Sequence, residues 1–205
     1  LVPVLLEKAT MPAPSLWVKV PRDLQQQFLQ IRREFLDTLL YIQRALKSLN
    51  SPNLLLELIY ADLEHLSHGT PASKSLIETR LRALMIVAEE EESTETAGDD
   101  IESWTPQWQK LASLVFSSPE ITHDAVNAKL AISLIGSLLP LMKSTPAADE
   151  AVKMLLSQLQ SNGLVREECL GALQQAADAE VALLRQPQII ASLLASLATF
   201  DPQQR

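Results

Sequence analysis

Glycine, cysteine and aromatic residues are all scarce in this chain, and each shortage excludes a class of chemistry. The five glycines stand isolated at Gly69, Gly98, Gly136, Gly163 and Gly171. With no glycine-rich loop, P-loop and dinucleotide fingerprints are absent. The single cysteine, Cys169, excludes an internal disulfide and a cysteine-based zinc site, and it fits a reducing compartment. Few β-branched runs alternate with polar residues, so strands are not expected. Cations are outnumbered, 17 Lys and Arg against 25 Asp and Glu, for a net charge of −8. No general affinity for nucleic acid or an anionic membrane is therefore expected. No run approaches the length of a membrane span, and no positively charged leader precedes an apolar core. The pattern at Leu1 (LVPVLLEK) begins in mid-helix and reads as part of something longer.

What is present is leucine and alanine in helical spacing. The fold class expected is all-α. Helices are expected over residues 1–8, 22–48, 52–67, 73–90, 106–116, 122–143, 146–161, 165–184 and 187–199. Residues 9–20 carry Pro12 and Pro14 and read as a loop that docks Leu16 and Trp17 on the core. In 22–48, Leu24, Phe28, Ile31, Phe35, Leu39, Ile42 and Leu46 recur at intervals of three and four, with Gln25, Gln26, Arg32, Arg33 and Gln43 largely opposite. Asn50, Ser51 and Pro52 close that helix and open the next, whose apolar side is Leu55, Leu58, Ile59, Leu63 and Leu66. In 73–90, Leu76, Ile77, Leu81, Leu84, Met85 and Ala88 face inward.

The stretch from 117 to 159 reads as one helical hairpin. Its first helix starts near Thr122, is apolar most of the way round, and must be covered on more than one side. Pro140 removes a hydrogen bond and presses on the carbonyl of Gly136, so a bend is expected there. Pro146 restarts the second helix.

Residues 89–102 differ in kind. Glu89, Glu90, Glu91, Glu92, Glu95, Asp99, Asp100 and Glu102 are acidic, no residue is basic, and these eight charges equal the net charge of the chain. Such a block repels itself, and acids at a helix C-terminus oppose the macrodipole, so 91–105 is expected to be a mobile acidic loop with Glu91 and Glu92 frayed. These eight residues are the candidate interaction site, for a basic protein surface.

Other chemistry is thin. His65 and His68, near Asp62 and Glu64, fall short of a tight metal site. Cys169 lies among Glu167 and Glu168, which oppose a reactive thiolate. His123 beside Asp124 has no nucleophile partner. Arg32 and Arg33, with Arg44 and Lys47 beyond, read as a solvated helix face with local ion pairs. No enzyme activity, cofactor or metal is expected.

Helix pairs of about forty residues fit HEAT or armadillo arrays. Three segments, in order, resemble karyopherins, the importin-β superfamily. FLQIRREFLDTLLYI (28–42) is similar to their "F..FR..V.DL...I" helix. SLIETRLRALMIVAEE (75–90) is similar to their "W...EA.LF.....IA..." helix, keeping Glu78 but not the Trp, and with Thr79 for the Ala. The 117–159 hairpin resembles "LP...H.AV...S..L.GE....." of the transportin-SR and importin-thirteen branch, with Gly136-Ser137 for Gly-Glu; VREECLGALQQAADA then stands where the Ala-rich helix follows. The resemblance covers about residues 20–180. It implies HEAT-like hairpins stacked as an α-solenoid, the central segment of a nuclear transport receptor in nucleus and cytoplasm. The implied partners are protein cargo, the GTPase Ran and nucleoporins. The family's main Ran-binding repeats and its Arg-Ser-reading helix lie outside these residues, so no cargo or Ran residue is carried over. The alternative is a helical-repeat scaffold of another complex, without a transport role.

Overall fold

The computed structural model describes residues 1–51, 53–67, 74–93, 97–142, 145–161, 163–178 and 182–198; side chains at 91–93, 97–105, 182–183, 188 and 196–198 lie outside the description. The described residues form α-helices and two 3-10 turns, and none forms a strand. Their contacts group into two compact units, Leu1–Ala131 and Ile132–Arg205. The division falls inside a continuous helix and not at a linker. A single segment over 1–205 was the sequence expectation.

The first unit holds α1 (Val2–Lys8), α2 (Pro14–Trp17), α3 (Arg22–Ser48), α4 (Leu54–Ser67), α5 (Lys74–Ser93), α6 (Ala97–Ser117), α7 (Pro119–Thr122) and the start of α8 (Ala125–Met142). Helix α5 touches α1, α3, α4 and α7, and α4 also touches α6. Between Ile77 and Leu81 every α5 residue is buried, Glu78, Thr79 and Arg80 included. Trp108, Leu111 and Val115 bury the inner side of α6.

Helix α3 is long and amphipathic, yet its inner line is not the apolar stripe expected. Arg32, Leu36, Leu39 and Gln43 are the buried residues, while Leu24 and Ile31 are 48% and 47% exposed. The helix is rotated because Arg32 turns inward to meet a carboxylate on α5. It ends in a Schellman arrangement. Asn50 takes a left-handed φ of 56°, its N–H reaches the Lys47 carbonyl at 3.0 Å, and the Ser51 N–H reaches the Leu46 carbonyl at 2.9 Å. Asparagine tolerates that conformation, so the stop is encoded locally.

Four further expectations are corrected. Residues 9–20 contain a helical turn, α2, and Leu16 there is 59% exposed instead of docked. In the stretch 91–105, expected as an acidic loop, α5 runs to Ser93 and α6 begins at Ala97, with Pro106 inside it; residues 94–96, Glu95 among them, lie outside the described residues. The physical reason is placement. Asp99 and Asp100 fall in the first turn of α6, where the macrodipole favours acids. The third correction concerns Thr122, which ends α7; α8 begins at Ala125 with Asp124 as its cap, the Asp124 Oδ1 accepting the Asn127 N–H at 3.1 Å. Lastly, by length and composition α8 is apolar enough to cross a membrane, although 56% of it is buried within the protein, which is the state of a core helix.

The second unit holds the rest of α8, α9 (Pro146–Ser161), α10 (Arg166–Asp178) and α11 (Pro187–Ala198), with 3-10 turns at Gly163–Val165 and Ala182–Arg185. Helix α9 packs on α10 and α11. Helix α8 continues through Pro140 to Met142. Gly136 has its own reason to be small: a Cβ there would meet the Gln175 side chain and stand 3.1 Å from the Cα and Cβ of Ala172 on α10. Gly171, also in a helix, faces open space.

These two glycines make opposite predictions. Gly171→Ala removes backbone freedom at no steric cost and should stabilise by about 0.5–1 kcal/mol. Gly136→Leu overfills the α8–α10 contact and should destabilise by about 1–3 kcal/mol. Urea unfolding monitored by circular dichroism reads both.

Candidate functional site

The polar residues of α5 organise the first unit. Glu78 accepts from Arg32 Nη2 on α3 and from Arg82 Nε one turn on. The Arg32 and Glu78 side chains are only 9% and 10% exposed. Arg32 Nε also donates to the Ala9 carbonyl at 2.7 Å, just past the end of α1. Arg80, between them in sequence, donates through Nε to Asp62 of α4 at 2.7 Å and through Nη1 to Thr10 Oγ1 at 3.4 Å. Buried ions are tolerated only when partnered in this way.

A second pair repeats the first. Arg44 of α3 holds both Glu90 carboxylate oxygens, at 2.8 and 3.0 Å. Arg32 to Arg44 is twelve residues, and so is Glu78 to Glu90. Both pairs therefore join residues 46 apart. Helices α3 and α5 thus run parallel in fixed register over about 18 Å, at 1.5 Å per residue. The Arg44 hydrogen bonds hold the Glu90 carboxyl below the usual carboxylate range, against burial, with further help from the charges of Arg44 and Lys47.

Beside the Arg32–Glu78 pair lies a cleft of about 700 Å³, within the roughly 300–1,000 Å³ of ligand pockets. Its apolar walls include Met11, Pro12, Trp17, Leu29, Leu76 and Val126. The Trp17 wall is held from two sides. Its ring stands edge-on to Phe28 with centroids 5.4 Å apart, and Gln25 Nε2 donates to the Trp17 and Val20 carbonyls at 2.9 and 3.0 Å. The opposite rim is the α5–α8 junction, where Lys74 Nζ meets Asp124 Oδ2 at 3.1 Å. Burial works to raise the Asp124 carboxyl, but the Asn127 N–H and Lys74 outweigh it and hold it low. Asn127, 1% exposed, donates through Nδ2 to the Lys74 carbonyl at 3.3 Å, while its Oδ1 is buried with no donor.

Of the eight acidic candidates, Glu89 and Glu90 are the two whose side chains are described. Glu89 is exposed, and Glu90 is 8% exposed and engaged by Arg44. Glu91 and Glu92 lie on the last turn of α5, and Asp99, Asp100 and Glu102 on the first turns of α6; their side chains, and all of Glu95, fall outside the description. His65 is exposed and His68 lies outside the described residues. Arg33 makes a local, exposed pair with Asp37 at 3.9 Å, whereas Arg32 belongs to the interior instead of a solvated face. Cys169 is buried, and its thiol is pushed up to about 12 by burial and then by the charge of Glu168.

Sequence reasoning missed the cleft and Asn127. One signal was visible: Arg32 lies on the line Phe28–Leu36–Leu39, and a cation on such a line requires a buried anion. No family model, curated protein or solved structure matches the chain.

Glu78→Gln leaves Arg32 and Arg82 facing a neutral amide and should cost about 3–5 kcal/mol in urea unfolding. Adding Arg32→Met to Glu78→Leu should recover about half of that loss or more, since an apolar pair needs no compensation. Acid acts on the second pair. Glu90 is depressed in the folded state, so its contribution is present above its unfolded value near 4.5 and is lost as pH falls through the lower folded value. Glu90→Gln should therefore be less stable than wild type at neutral pH, with the gap closing in acid.

Proposed function

We propose that this chain is a HEAT-like α-solenoid segment that binds other proteins, within a nuclear transport receptor of the karyopherin kind. The observation that carries the reading is the parallel register of α3 and α5 at an offset of 46 residues. HEAT and armadillo units repeat every 40–47 residues or so, and equivalent helices of successive units run side by side. Further support comes from like pairing with like: α4 against α6 in the first unit, and α9 against α11 in the second. The two resembling segments also meet through their motif residues. The arginine of the "F..FR" pattern falls on Arg32, and its partner is the retained Glu78.

On this reading the scaffold acts by shape. Stacked hairpins flex, and cargo and Ran stabilise alternative curvatures. The receptor moves between nucleus and cytoplasm, meeting nucleoporins on the way. The residues that bind cargo and Ran are not assigned.

The test is capture of the full-length protein by Ran locked with GTP or with GDP. Retention by the GTP form alone is expected. Equal retention by both forms, or none by either, contradicts a transport role and leaves the repeat scaffold standing.

A further inference from the structure

We infer that the cleft between α2, α3, α5 and the start of α8 binds a small organic acid, a single carboxylate on an apolar body, with the carboxylate on the Arg82 guanidinium and the body against Trp17 and Leu29. The inference goes beyond the transport reading and does not depend on it.

The cleft is locally positive in a chain whose balance lies the other way. Arg32, Lys74 and Arg82 line it against Glu78 and Asp124, one cation in excess, whereas the whole chain stands at −8. Lys74 and Asp124 pair with each other. The excess therefore belongs to the group around Glu78, where one carboxylate serves two guanidiniums. In that group the Arg32 side chain is 9% exposed and also holds the Ala9 carbonyl. The Arg82 side chain is 42% exposed. Arg82 reaches Glu78 through Nε, and among the described residues its two Nη nitrogens have no acceptor. Two adjacent guanidinium nitrogens suit the two oxygens of a carboxylate. Apolar walls beside them screen the charge less than water does, which strengthens the attraction.

The walls and the two carboxylates select the kind of anion. A dianion such as a phosphate monoester would overmatch a single excess cation with Glu78 and Asp124 in the same lining, so one negative charge is the better complement. Leu29 and Val126 are 47% and 55% exposed at the cleft. An inorganic anion would leave that apolar area uncovered, and a hydrocarbon or aromatic body covers it. The Trp17 wall is braced by Phe28 and Gln25, so little ordering is required on binding. A volume of about 700 Å³ suits a small ligand. An acidic segment of a partner protein offers the same two chemistries, but an acidic partner would approach against a net charge of −8.

The probes are octanoate and 3-phenylpropanoate, each titrated calorimetrically into the full-length protein beside its neutral primary amide. Each acid should bind about 10-fold or more tighter than its amide, the effect of a hydrogen bond to a charged group. Arg82→Gln should remove that advantage. Arg33→Gln takes the same charge from an 84% exposed position outside the cleft lining and should leave the acids bound as before. Because Arg82 also serves Glu78, a second pair of variants tests the charge without touching that group. Val126→Glu places a carboxylate in the lining and should weaken the acids about 10-fold or more, while Val126→Gln, of the same size, should not. The inference is overturned if neither acid binds, if acid and amide bind alike, or if Val126→Glu and Val126→Gln have equal effects. It is also overturned if Arg33→Gln weakens the acids as much as Arg82→Gln does, which would make the effect one of overall charge. Tighter binding of phenyl phosphate, or of acetyl-Leu-Glu-Leu amide, would overturn it too, making the cleft a phosphate site or a dock for an acidic segment. Failure of Ran capture alters none of these outcomes.

Discussion

The buried ion pair between Arg32 and Glu78 is the constraint on which the first unit depends. Taking two charges out of water is unfavourable, and their attraction offsets that only when the remaining donors and lone pairs are also matched. Here they are matched by three elements at once. The Ala9 carbonyl takes the Arg32 Nε–H, and Arg82 takes the second Glu78 oxygen. The end of α1, the first half of α3 and the first half of α5 are therefore fixed together. The Arg44–Glu90 pair repeats the link twelve residues on, so α3 and α5 have one register and one direction. Apolar contact alone is less discriminating, since half-buried Phe28, Phe35 and Ile42 would pack acceptably in several rotations of α3.

The same pair shapes the cleft. Turning Arg32 inward rotates α3, which leaves Leu24, Leu29 and Ile31 partly exposed and brings Leu29 to the cleft wall. The Pro12 and Pro14 segment crosses this face and is clamped by Gln25 and Phe28. On the far side, Asp124 serves two partners, capping α8 through the Asn127 N–H and pairing with Lys74. Asn127 is thereby fixed with one end on α5 and the other end free of donors.

Much of this architecture is legible in the residues, and the failures have physical causes. Spacing alone marks α3 from Arg22 to Ser48, and Asn50-Ser51-Pro52 marks its stop. Helix α8, apolar on nearly every side, has no exposed residue from Leu130 to Met142. The rotation of α3 was not legible, because periodicity places a stripe to within a residue or two and gives no weight to a buried cation. The acidic block was assigned to one helix end, whereas the described residues place it at the ends of two helices. Divided between two helices, Glu90 is held by a cation 46 residues away, and Asp99 and Asp100 fall where a helix dipole welcomes them. Asn127 left no sequence signal, since its role depends on which donors its neighbours lack.

Hydrogen exchange tests the central claim most directly. If the Arg32–Glu78 pair fixes α1, α3 and α5 as one frame, then in Glu78→Gln the amides of all three helices should lose protection together, while those of α9 and α10 keep theirs. Loss confined to the turn around residue 78, with α1 and α3 protected as in wild type, would contradict the account.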